Sequence, residues 1–273
     1  MTWTSPPMKI GTCSILESID PIASYEAAIS ERSDNAEPNT SRRAKRSVAA
    51  HTKFWKPGRT LKIAMYDEDQ KTIDKIKSIA SKWIEHANLK FEFVSGAVGD
   101  IRIKIAQTQD GNSYSFLGTD ALTRPPEVHT MEIGPALEDD EFETTVLHEF
   151  GHALGLDHEH QHPDADIPWD LEKVYAWYKE KSNIERDQVD KNVLPLPRNT
   201  NYTYGDYDPL SIMHYDIDSR LTINNWSHPG GSTLSKKDLE VIRKIYPHGT
   251  PYIPHSLIEL LNKIKEPFTG SSI

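Results

Sequence analysis

His148-Glu149-Phe150-Gly151-His152-Ala153-Leu154-Gly155-Leu156-Asp157-His158 is the stretch on which the reading of this chain turns. Histidines four residues apart share one face of a helix, about one turn apart, and two imidazoles so placed can hold one Zn2+. Glu149 follows the first of them, where its carboxylate can reach a water on the metal rather than the metal itself. Gly155 has no Cβ, so the chain can leave the helix there in a conformation other residues resist. That exit returns His158 to the same metal as third ligand. Three protein ligands and an open position describe a catalytic zinc rather than a structural one. In a chain with twelve histidines the five-residue HExxH alone is moderate evidence, but Gly155 and His158 at fitting offsets make accident a poor explanation.

Upstream, hydrophobic periodicity supplies a scaffold for this helix, which is predicted over residues 141–154. Leu61 to Tyr66 alternates as a strand does. Asp69 to His86 carries Ile73, Ile76, Ile79, Ala80, Trp83 and Ile84 at helical spacing, a core-backing helix. Phe91 to Val94 and Ile101 to Ile105 read as two more strands, Gly111 to Gly118 as an edge segment and His129 to Ile133 as a last strand. Downstream, the patterns thin out. Leu171 to Lys181 reads as a helix, residues 190–210 as irregular, and Ser235-Lys236-Lys237-Asp238 as the cap of a helix running to Tyr246. Ser256 to Lys265 is a further amphipathic helix.

The first fifty residues differ. Ser24 to Ile29 suits a short helix, and Ser30 to Thr40 is polar and reads as linker. It leads into Arg42-Arg43-Ala44-Lys45-Arg46, a solvated basic run or a processing site. The expected organisation is therefore an N-terminal segment over 1–46, a candidate propeptide, a catalytic domain over 47–250 with lobes at 47–158 and 159–250, and a helical tail over 251–273.

The 273 residues allow one large domain or two modest ones. A net charge of −10 argues against nucleic acid or an anionic membrane as partner, and there is no apolar run long enough to span a bilayer. Met1 to Ile10 holds two prolines and no apolar stretch, so no signal peptide is read there, which leaves an intracellular place or non-classical export. A monomer is the expected state. Cys13 is the sole cysteine, so an intrachain disulfide is excluded.

A second motif, Ser211-Ile212-Met213-His214-Tyr215, follows the third histidine by more than fifty residues. With the extended zinc motif and Glu159-His160 directly after it, the chain resembles the metzincin metalloproteases and, within them, the astacin family. Weaker likeness at Trp55 to Tyr66, Tyr114 to Gly118 and Leu234 to Tyr246 extends this over most of residues 47–247. Animal astacins are stapled by disulfides, and this chain is not, so it looks closer to microbial members. The family's propeptide aspartate has only Asp20 as a weak counterpart.

The resemblance implies an α+β, two-lobed domain: a twisted, mostly parallel sheet with a backing helix and the zinc helix, then a largely irregular C-terminal lobe. It implies a zinc endopeptidase acting on peptides or proteins. Met213 would be the apolar floor under the imidazoles. Tyr215 would be a weak extra zinc ligand that swings away and stabilises the oxyanion. Glu159 would position His158 or meet a mature N-terminus. Glu149 is expected to act as general base, and an extended substrate to add as a strand near Ser113 to Leu117. Two readings of other kinds stand beside it: an inactive zinc protein that captures peptides, for which Glu149 would be superfluous, and an effector protease with a narrow target. Cys13 suggests latency, because its thiolate can take the fourth zinc position until cleavage near Arg46 frees the site.

Overall fold

One sheet organises the computed structural model, which describes residues 13–36, 51–65, 68–96, 98–106, 113–134, 139–196 and 205–249. Its elements are β1 (Cys13–Leu16), α1 (Pro21–Glu31), β2 (Thr60–Met65), α2 (Gln70–Ile84), β3 (Lys90–Ser95), β4 (Ile101–Ile105), β5 (Ser113–Phe116), β6 (Met131–Ile133), α3 (Phe142–Ala153), α4 (Leu171–Ser182), α5 (Arg186–Asn192) and α6 (Lys236–Ile245). Strand order is β1-β5-β6-β4-β2-β3, and every pairing is parallel except β5 with β6.

Alternation decides which face is covered. Leu61, Ile63 and Met65 of β2, Ile101 and Ile103 of β4, and Met131 and Ile133 of β6 project to one side. There they join Ile76, Ile79, Ala80 and Trp83 of α2 and Val146, Leu147 and Phe150 of α3 in a single buried cluster. Each Leu, Ile, Val, Met or Phe side chain among them contributes roughly 1.5–3 kcal/mol when fully buried. Asp69 starts α2 by accepting from Thr72 N at 3.0 Å. The aromatic members of the cluster also bind the backbone of α3 and its exit: Trp83 Nε1 donates to Leu147 O at 2.9 Å, Trp55 Nε1 to Ala153 O at 2.8 Å and the Tyr246 hydroxyl to Leu154 O at 2.7 Å. The last two carbonyls lie where a helix runs out of its own donors.

The N-terminal segment departs from expectation. β1 lies in parallel register with β5, Cys13 opposite Ser113 and Leu16 opposite Phe116. Ser113–Phe116 is therefore an interior strand here, not the open edge that the sequence suggested. The stretch from Ser30, read as linker, is structured through Ala36. The Arg59 guanidinium bridges Glu31 and Asp100, and Arg32 donates to Ile245 O at 2.9 Å. Asn35 is buried between Ala28 O, Phe54 O and the Thr52 hydroxyl. Asp20 accepts from Ile22 N and Ala23 N as the N-cap of α1. The basic run 42–46 and the helix expected over 256–265 lie outside the described residues.

An ionic cluster, buried at Asp120 and exposed at Glu17, joins this segment to the rest. Lys53 Nζ lies 2.8 Å from Asp120, which is 0% exposed, and 2.8 Å from Glu17. Asp120 also accepts from Ser18 N and the Ser24 hydroxyl. Burial pushes Glu17 upward, but Lys53 and Lys191 outweigh it and hold the carboxyl below its ordinary 4.5. Burial pushes Lys53 downward, but Asp120 and Glu17 outweigh it and hold the amine above 10.5. A depressed carboxyl stabilises the fold above its unfolded pKa, and this is lost as pH falls through the folded value. A raised amine stabilises it below its unfolded pKa, and this is lost as pH rises through the folded value. Docking should therefore hold between the ordinary carboxyl and amine values, about pH 5 to about pH 10, and loosen as pH falls through the lowered Glu17 value. Amide protection factors in α1, measured at pH 7 and at about pH 3, below the ordinary carboxyl value, check this, and Lys53→Met should lower them at pH 7. Protection unchanged in both cases would mean that apolar contacts alone hold the segment.

After residue 158 the described chain adds no strand to the sheet. α4 forms where expected; α5, seven residues with one buried apolar side chain, carried too little pattern to be read. Among the described residues no helix is long and apolar enough to cross a membrane.

Candidate functional site

α3 carries His148 and His152 on one face, both buried. Leu154 caps the helix, and Gly155 takes φ +93°, with Leu156 N closing onto Gly151 O at 3.0 Å. A non-glycine residue resists that backbone, and a Cβ there would also sit 2.7 Å from Phe54 Cδ1. The turn sends His158 back toward the helix. His152 Nε2 then lies 3.1 Å from His148 Nε2 and 3.0 Å from His158 Nε2. His148, His152 and His158 form the metal-competent group among the described residues.

Backbone carbonyls set the tautomer of two of the three converging rings. His148 Nδ1 donates to Ile212 O and His152 Nδ1 to Leu156 O, both at 2.7 Å. That leaves the Nε2 lone pairs facing one another, an arrangement that suits a cation and little else. Zinc held tetrahedrally at about 2.0–2.1 Å would space its nitrogens about 3.3 Å apart, close to what is seen. Burial pushes His148 down to about 4 and, foremost among causes, puts His152 and His158 well below the usual 6.5. The imidazoles are thus neutral at pH 7, the form that binds metal. The residues present fit zinc.

The turn 211–215 closes the site from the other side. Asp238, in the capping box of α6, accepts from Ile212 N at 2.9 Å and the Ser211 hydroxyl at 2.6 Å. Ile212 in turn orients His148 through its carbonyl. Met213 is 2% exposed and packs on the metal-site helix, where a Cβ at Gly151 would fall 2.3 Å from its sulfur. The Tyr215 ring lies 4.2 Å from that of His158 and 6.0 Å from that of His148. Glu149 is 0% exposed and directly follows His148 on α3. Glu159 receives Asp208 N at 2.7 Å, and burial raises its carboxyl to about 7. Cys13 opens β1 opposite Ser113. His162 and His214 are engaged elsewhere, His162 with Gly205 O and Asp164 N, His214 with the Tyr207 hydroxyl. Sequence reasoning found Asp238 as a helix cap but missed its hold on the turn, because a capping signature reports only the bonds within its own helix.

The family model for astacin, a family of peptidases, matches residues 47–246. Two solved structures of myroilysin are similar: one is 40% identical, with TM-score 0.64, covering 72% of this chain and 97% of that one. The other is 34% identical, with TM-score 0.56, covering 86% and 100%. High choriolytic enzyme 1, a hatching enzyme zinc-protease from the medaka fish Oryzias latipes, is 20% identical with TM-score 0.50, covering 71% and 94%, a likeness of fold. With the family model spanning well over half its length, this chain belongs to the astacin family of zinc metalloendopeptidases.

Proposed function

We propose that His148, His152 and His158 hold a zinc ion at which peptide bonds are hydrolysed, with Glu149 as general base and Tyr215 as oxyanion donor. The convergence of three Nε2 atoms, two of them with Nδ1 committed to backbone carbonyls, carries this reading. Zinc would supply Lewis acidity toward the scissile carbonyl and would acidify the attacking water. Glu149 accepts the proton of that water and hands it to the leaving amine. Tyr215, beside His158, donates its hydroxyl to the negative charge that develops on the carbonyl oxygen. Met213 keeps the imidazoles packed from below.

The test is metal content together with peptide cleavage. Chelation should abolish activity and zinc restore it. His158→Ala should weaken metal binding, and equal affinity would move the third ligand elsewhere. Tyr215→Phe should keep zinc and fold and lose about 10²-fold in kcat, as loss of one oxyanion donor typically costs. Unchanged kcat with raised KM would make it a substrate-binding residue only.

The same reading includes latency. Residues 1–46 act as a prosegment on a catalytic domain over 47–250, Cys13 takes the fourth zinc position, and cleavage after Arg46 frees the site. The pairing of β1 on β5 supports this, since it covers the strand to which an extended peptide would add. Cys13→Ala and a form starting at Ser47 should both outpace the intact chain on one peptide, with a sulfur ligand to zinc only in the intact chain. Equal rates in all three would remove Cys13 from the mechanism.

A further inference from the structure

His160 sits in the single-turn helix Glu159–Gln161, two residues beyond His158, and is 0% exposed. Neither of its ring nitrogens has a hydrogen-bond partner among the described residues. Buried polar groups are seldom left so, and an apolar side chain of similar size would fill the space without that cost. The ring packs flat on one neighbour: its plane lies 15° from that of Tyr215, with centroids 4.2 Å apart. His158 meets the same phenol at the same separation, but tilted by 53°. Of the two, the His160 contact is the parallel stack.

We propose that His160 is a positioning residue, the flat surface on which the Tyr215 ring rests so that its hydroxyl stays in the plane of the reaction. A tyrosine side chain turns about two torsions. A parallel neighbour blocks tilting of the ring and leaves sliding within the plane nearly free. A phenol that must approach the metal centre and then shift toward a carbonyl oxygen needs this combination. Misplacement of a reacting group by about 1 Å can cost as much as 10²-fold in rate, so loss of the stack should be visible in turnover. The inference rests on the reading of Tyr215 given above.

The experiment uses the full-length chain carrying Cys13→Ala, so that no thiol competes for the metal. His160→Leu fills the space without a flat ring; His160→Phe keeps the ring. Should His160→Leu fail to fold, His160→Met takes its place. Zinc content, kcat, KM and, after exchange of zinc for Cu(II), the phenolate-to-copper charge-transfer band are measured. His160→Leu should keep its zinc and its KM, lose about tenfold in kcat and weaken the band, while His160→Phe restores both. The proposal is overturned if His160→Leu keeps both kcat and the band, if it loses kcat with the band intact, or if Phe performs no better than Leu. Tyr215→Phe with undiminished turnover would instead defeat the reading of Tyr215. In that event, melting of the metal-free His160→Leu, Tyr215→Leu and double variants still tests the stack: coupled losses support it, and additive losses overturn it.

Discussion

Glu149→Gln is expected to leave zinc bound at full stoichiometry and to remove about 10²–10⁴-fold of kcat, the range over which a positioned base contributes. The two halves of that result have separate causes. Metal binding should survive because Glu149 lies outside the three-imidazole group and because Gln has nearly the same shape in a site that is 0% exposed. Turnover should fail because an amide does not accept a proton from water at neutral pH. Metal analysis on the same samples that are assayed separates the two effects. Full activity would defeat the assignment of the base, and loss of zinc would mean that the carboxylate holds the site together rather than moving a proton.

Gly231→Ala should destabilise the protein by about 3 kcal/mol or more, at the upper end of what overpacking costs. A Cβ at 231 would lie 2.0 Å from Ser211 O and 2.5 Å from Ser211 C. Those are backbone atoms, so no side-chain rotation relieves the overlap and the turn itself must move. Movement there would disturb Ile212 O, which orients His148 at 2.7 Å, and Met213 O, which accepts from Glu159 N at 3.0 Å. Zinc affinity should therefore fall by about 10–100-fold, as it does when groups that orient metal ligands are lost. Denaturant melting and competition with a chelator read the two effects. A variant with wild-type stability and affinity would show that the turn does not control the metal site.

The parts of this protein legible in its sequence are those in which periodicity or spacing is itself the cause of structure. Ile101–Ile105 alternates, and it is a strand over those residues. Asp69 and Ser235 announce helix starts because their side chains accept from backbone amides in the first turn. His148, His152, Gly155 and His158 declare a metal site because a helix pitch and a positive φ suffice to bring the three rings together. What stayed illegible depends on partners distant in sequence. Cys13–Leu16 is four residues long, and only Ser113–Phe116 makes it a strand. Asp120 reads as one more acidic residue, yet it is the buried counter-charge of Lys53. His160 has no pattern in the sequence that foretells its stack on Tyr215.

The shared carboxylate of Asp238 has a consequence for which substitutions the chain can accept. As the third residue of a helix start, a glutamate would serve as well or better, and helix propensity alone would favour it over time. Here the same two oxygens also receive Ile212 N and the Ser211 hydroxyl. One added methylene would push them past both groups. A local rule and a distant one thus converge on a single side-chain length. The side chain at 238 answers both to the start of its own helix and to the loop that it ties to His148.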